Sequence, residues 1–298
     1  AAATTFEPMP PAVGDTVDMA TTSRWAGVLG GAAYRIEVPA NWNGELVMYA
    51  HGYPGEGLTL EPTDSAIRRW LVQNGFAWAA SSYSSNPYDV RAAIEDTNLL
   101  ALNFTAIAAA HGRPLAPPMR TYIIGHSMGG HVAAAAVEAE TQATARNKVR
   151  YDGALPMCGA VGDTALFDTY AAMQGAAHVL GGHPAVPLDR WVTIRDPVTA
   201  ALFGATFDTP QVQPNGPAGQ AYFSVLQNLT GGPRPLFDLG YSEGGSLRAP
   251  WELFGLTTAA VGLTTQPTAD TTAVVFQVDG DTALSAQLNA TAPRATAT

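Results

Sequence analysis

The pentapeptide Gly125-His126-Ser127-Met128-Gly129 constrains the fold more than any other feature of the chain. It follows an apolar run, Tyr122 to Ile124, and opens onto a stretch of small residues from Met128 onward. A strand that turns into a helix at a single residue brings backbone so close that β-carbons two positions before and two after the turn would collide with it. Glycine at 125 and 129 meets that need, and the strained turn leaves the serine standing clear of both elements. Because motif and flanks agree, Ser127 is read as a nucleophile rather than as an ordinary helix N-cap.

The rest of the chain extends the same alternation. Leu46 to Ala50, Phe76 to Ala80, Tyr122 to Ile124 and Ala154 to Cys158 are short apolar runs suited to buried parallel strands. A half-exposed strand is expected over Ala33 to Pro39, where Tyr34, Ile36 and Val38 alternate with polar residues. Helical spacing appears over Asp64 to Asn74, Asp89 to His111 and Met128 to Glu140. The fold class is therefore α/β, a mostly parallel central sheet flanked by helices, with residues 31–165 as its core. Residues 1–30 read as an irregular arm, with regular structure beginning near Ala32. From 166 to 265 short helical patterns broken by glycine and proline suggest an inserted, mainly helical lid. In 266–298, Val274 to Val278 is the last strand candidate, and Ala290 to Thr298 is a low-complexity tail not expected to pack.

With 25 acidic against 15 basic side chains the 298-residue chain carries a net charge of −10 and would repel a polyanion, which excludes nucleic acid as a partner. No apolar run approaches the roughly 18 residues of a membrane span. The opening Ala1-Ala2-Ala3-Thr4-Thr5 fits a mature chain after removal of a leader, hence an extracellular or periplasmic location. Cys158 is the one cysteine and has no internal partner.

Hydrolysis through a serine also needs donors for the developing oxyanion. His51-Gly52-Tyr53-Pro54 follows an apolar strand and offers the Tyr53 N–H, while the Met128 N–H lies at the positive end of the helix after Ser127. His51 itself reads as a loop anchor. On these segments, Leu46 to Pro54 and Arg120 to Gly130, the chain resembles the α/β-hydrolase superfamily over residues 31–160. The resemblance implies an eight-stranded sheet, a triad in the chain order Ser, acid, His, a cap before the acid, and neither metal nor cofactor.

The base is where the chain departs from that pattern, because no histidine follows His183. His126 and His131 flank the serine too closely to approach it as a base, and His111 ends a helix. Asp163 and Asp281 are the candidate acids, and His178 and His183, in the lid segment, are the remaining candidate bases. The expectation is a chain lacking its final strands, its base and the partner of Cys158. The alternative is a triad completed by His178 or His183.

The expected activity is hydrolysis of carboxylic esters, small or polymeric, through an acyl-enzyme on Ser127. An amidase or peptidase of the same fold, and a non-catalytic binding protein, are the competing readings. Aromatic residues of the lid segment, Trp191, Phe203, Phe207, Tyr222 and Trp251 among them, are either an acyl pocket or core.

Overall fold

Two glycines with positive φ, Gly30 at 60° and Gly31 at 92°, turn the chain between β1 (Ser23–Leu29) and β2 (Ala32–Val38). A two-residue turn of that handedness suits the twist of an antiparallel pair, and Leu29 faces Ala32 across it. Regular structure thus begins with a 3-10 turn over Met19–Thr21, not near Ala32, and the arm expected over 1–30 contains a full edge strand. The Gly-Gly pair was the local signal for it.

The computed structural model describes residues 6–55, 57–204, 214, 216–235, 237, 251, 254–255 and 269–296, which divide into two units, Ala1–Val161 and Gly162–Thr298. In the first unit the chain continues through β3 (Glu45–Ala50), α1 (Arg68–Gln73), β4 (Ala77–Ser81), α2 (Val90–Ala110), β5 (Arg120–His126), α3 (Met128–Ala135), α4 (Ala139–Thr144) and β6 (Gly153–Met157). The strands form one sheet in the order β1-β2-β4-β3-β5-β6, antiparallel at β1/β2 and β2/β4 and parallel elsewhere. Six strands are thus formed among the described residues, where the resemblance implied eight. The helix expected over Met128 to Glu140 is two, α3 and α4.

The pleat of β3 divides the core of this unit. Leu46, Met48 and Ala50 face Ile94, Leu100 and Phe104 of α2 and Val132 of α3, whereas Val47 and Tyr49 face Leu71 and Val72 of α1. β2 is buried on both faces rather than half-exposed. Its one acidic residue, Glu37, is fully buried and accepts from Arg68 Nε at 2.6 Å, Trp78 Nε1 at 2.8 Å and Thr22 Oγ1 at 2.8 Å. The apparent alternation in β2 was a buried ion pair.

The described part of the second unit is helical: α5 (Ala165–Leu180), a 3-10 turn (Leu188–Thr193), α6 (Arg195–Phe203), α7 (Gly216–Leu229) and α8 (Thr282–Thr291). The aromatic residues weighed as a pocket lining are largely its core: Trp191, Tyr222 and Trp251 are buried together with Phe254, and Phe203 packs against them. Phe207 lies outside the described residues.

Val274 to Val278 is no strand. Side chains of α8 stand in for a neighbouring strand: Phe276 N–H donates to Asn289 Oδ1 at 2.9 Å, Asn289 Nδ2 donates to the Phe276 carbonyl at 2.8 Å, and Val278 N–H donates to Ser285 Oγ at 2.9 Å. Phe276 and Val278 enter the helical core instead of a sheet. The tail expected to stay unpacked is packed as far as Thr296 is described. Thr271 and Ala295 exchange hydrogen bonds at 2.9 and 3.0 Å, and Arg294 donates to the carbonyls of Thr271 and Val274 while stacking 4.6 Å over Phe276.

No helix among the described residues is long and apolar enough to cross a membrane.

Candidate functional site

The parallel strands β3, β5 and β6 end level with one another: Ala50 pairs with Gly125, and His126 with Met157. Their carboxyl ends deliver His51, Ser127 and Cys158 to one rim of the sheet, where open α/β sheets carry their sites. Ser127 sits between β5 and α3 at φ 55° and ψ −125°, a conformation rare for a residue with a β-carbon. Its N–H donates to the Met157 carbonyl at 3.0 Å, and its own carbonyl accepts from Gly130 and His131 at 2.9 and 3.2 Å. The strained turn is therefore pinned on both sides while the side chain stays exposed.

Glycine makes this turn possible. A β-carbon on Gly129 would overlap the Ala50 carbonyl oxygen, and one on Gly125 would overlap the Gly129 carbonyl oxygen. At Gly130 it would meet the Met157 carbonyl oxygen at 2.6 Å and the Gly159 Cα at 2.8 Å. The first turn of α3 thus lies on the main chain of β3 and on the end of β6. This strand order, with a strained serine on the turn after β5, is the α/β-hydrolase fold.

No protein-family model and no curated protein sequence matches the chain. Among solved structures it is similar to the rice cell wall degrading esterase LipA from Xanthomonas oryzae, at 16% identity and a TM-score of 0.36 over 50% of this chain and 46% of that one. It is also similar to the esterase EstE5 (19%, TM-score 0.34, 52% and 50%) and to a proline iminopeptidase-related protein from Thermus thermophilus (21%, TM-score 0.32, 52% and 50%). The chain spans about half the length of these proteins. Strand order and the strained turn at Ser127, not these distant likenesses, carry the hydrolase fold.

Beside Ser127 lies the loop after β3. A β-carbon built on Gly52 would lie 3.4 Å from the Ser127 β-carbon and 3.5 Å from His126 Nε2. Tyr53 follows on this loop, half-buried, its ring 6.2 Å from that of Tyr88. Met128 is the first residue of α3, so its N–H has no acceptor within the helix. His51 is buried and stacks on Tyr83 at 4.0 Å, with Nδ1 2.6 Å from the Gly52 carbonyl. The Tyr83 hydroxyl donates to the His51 carbonyl at 2.9 Å. Burial holds His51 below the usual histidine range, so it stays neutral as an anchor of the loop.

The candidate acids and bases fall differently. Among the described residues of the first unit no imidazole or carboxylate is hydrogen-bonded to Ser127 Oγ. His131 Nδ1 is 3.2 Å from the Tyr88 hydroxyl, and His111 Nδ1 turns back to the Ile107 carbonyl at 2.9 Å. In the second unit His178 is fully buried on α5, with Nδ1 2.9 Å from the Val186 carbonyl, Nε2 3.1 Å from Gln174 Nε2, and its ring stacked on Trp191. Burial pushes it down to about 4, the behaviour of a core histidine. His183 is half-buried, its N–H bonded to the His178 carbonyl at 2.7 Å. Asp281 caps α8, accepting the Leu284 N–H at 2.8 Å, and Asp163 is exposed just before α5 at φ 54°. Cys158 is exposed, a free thiol after β6.

Sequence reasoning missed the contact between Tyr49 and His126, whose hydroxyl and Nδ1 are 2.6 Å apart. The pairing of β3 with β5 creates it, and no local pattern announces it.

Proposed function

We propose that this chain is a serine hydrolase that cleaves carboxylic esters through an acyl-enzyme on Ser127. One observation supports it above the rest: a serine at φ 55° on an exposed turn, pinned by main-chain hydrogen bonds between a buried strand and a helix N-terminus. Strain of this kind costs about 1–3 kcal/mol and is concentrated at functional sites. In this reading Ser127 Oγ attacks the ester carbonyl, the alcohol leaves, and water releases the acid from the acyl-enzyme. The N–H groups of Met128 and Tyr53 hold the oxyanion, with the positive end of α3 behind it.

An amidase or peptidase would use the same parts, but its poorer leaving group demands a well-placed acid, and esters therefore remain the preferred substrates. A non-catalytic binding role is favoured by a separate observation, the lack of an imidazole on Ser127 Oγ among the described residues of the first unit. Treatment with an alkyl phosphonate ester, followed by peptide mass mapping, tests the first reading against the last. Labelling at Ser127 that disappears in Ser127→Ala is the expected result, with turnover of short phenyl esters; an unlabelled Ser127 would leave the binding role.

A further inference from the structure

Ester hydrolysis as proposed leaves one arrangement beside Ser127 unused. Tyr49 is fully buried in β3, and its ring lies nearly parallel to that of His126, centroids 5.8 Å apart. Its hydroxyl is 2.6 Å from His126 Nδ1, its hydrogen-bond partner among the described residues. Burial pushes Tyr49 up to about 12, so it remains a phenol at neutral pH. A buried phenol with one neighbour donates to it, because otherwise its proton is left unsatisfied. Nδ1 therefore accepts, and the proton of the neutral imidazole stands on Nε2.

That Nε2 lies beside the same backbone position as the serine. Both lie at van der Waals distance from the position a β-carbon on Gly52 would take, 3.5 Å for His126 Nε2 and 3.4 Å for the Ser127 β-carbon. His126 is exposed, unlike the tyrosine that holds it. A protonated Nε2 cannot take the proton of Ser127, but it can donate to a substrate lying over Gly52.

We propose that His126 is a specificity-determining donor whose Nε2–H, held in that tautomer by Tyr49, hydrogen-bonds an oxygen on the carbon next to the scissile carbonyl. The substrates so favoured are esters of hydroxy acids over those of plain alkanoic acids. The assignment rests on the ester-hydrolase reading above. An acceptor at that position satisfies the imidazole N–H, whereas an alkyl chain displaces its water and returns nothing.

Phenyl lactate and phenyl propanoate differ only in that hydroxyl and form the test pair. The lactate-to-propanoate ratio of kcat/KM is expected to fall about tenfold in His126→Phe, the loss of one substrate hydrogen bond. A smaller fall is expected in Tyr49→Phe, which removes only the hydroxyl and lets the ring take either tautomer. Nitrogen NMR of histidine-labelled protein is expected to find the His126 proton on Nε2 in the wild type and on both nitrogens in Tyr49→Phe. A proton on Nδ1 in the wild type, or equal losses on the two esters, overturns the proposal, and should His126→Phe fail to fold, the other two proteins decide it. Phosphonate labelling separates the readings: an unlabelled wild-type Ser127 overturns the hydrolase itself, while labelling with an unchanged ratio overturns only the role of His126.

Discussion

At the scale of single residues, two glycines and one serine make separable demands. Gly129→Ala would set a β-carbon into the Ala50 carbonyl, which side-chain rotation cannot relieve. A loss of about 3 kcal/mol or more is expected, read from the urea midpoint, together with loss of phosphonate labelling. Gly52→Ala differs, because its methyl would rest at 3.4–3.6 Å from Ser127 and His126, ordinary contact distances. Stability should stay within about 0.5 kcal/mol of wild type while ester turnover falls, since the methyl would stand against Ser127 and His126 Nε2, where the proposed substrate is to be held. At 127 itself, Ser127→Gly should be more stable than Ser127→Ala by about 1 kcal/mol or more, because only glycine adopts φ 55° and ψ −125° without strain. The spacing of Gly125, Ser127 and Gly129 already made this turn legible in the sequence. The role of Tyr49 was not legible, since it depends on a neighbour 77 residues away in a different strand.

Elements show where sequence pattern and tertiary context part. β3, β4 and β5 were legible because uninterrupted apolar runs of that length fit a sheet covered on both sides. β1 was missed although Gly30-Gly31 marked its turn, and Val274 to Val278 looked like a strand because apolar runs do not reveal who will bond their backbone. Here the partners are Asn289 and Ser285 of α8. β2 and α1 are tied by Glu37 and Arg68, whose side chains are 0% and 7% exposed. Glu37→Ala should cost about 3–5 kcal/mol, because it removes the buried carboxylate of Arg68 and leaves the guanidinium to Asp64 and the Glu7 carbonyl; thermal and urea unfolding would measure it. α5 carries a pH dependence of its own. His178 drops from 6.5 to about 4 on folding, so between those values the unfolded chain binds the proton that the folded chain refuses. Its neutral burial carries no penalty above pH 6.5, and stability is lost as pH falls towards 4, by an amount on the order of 3 kcal/mol. Urea midpoints across that window should slope less steeply in His178→Leu than in the wild type.

The whole molecule is sparsely charged and acidic, with 13% charged residues and a net charge of −10. Neutral esters should therefore be turned over more efficiently than otherwise matched esters carrying a carboxylate, and the gap should narrow as salt is raised from about 10 to 500 mM, which shortens the Debye length several-fold. An unchanged gap would locate the discrimination in the site rather than in the field of the molecule. The way α3 is seated reaches further still. Gly125, Gly129 and Gly130 let main chain meet main chain, so the height of Ser127 above the sheet is set by peptide groups and not by the volumes of neighbouring side chains. Core side chains can then be exchanged during evolution or in the laboratory without retuning the nucleophile, and a mutational scan of this chain should find the tolerance of its leucines and valines interrupted by three glycine positions that accept nothing else.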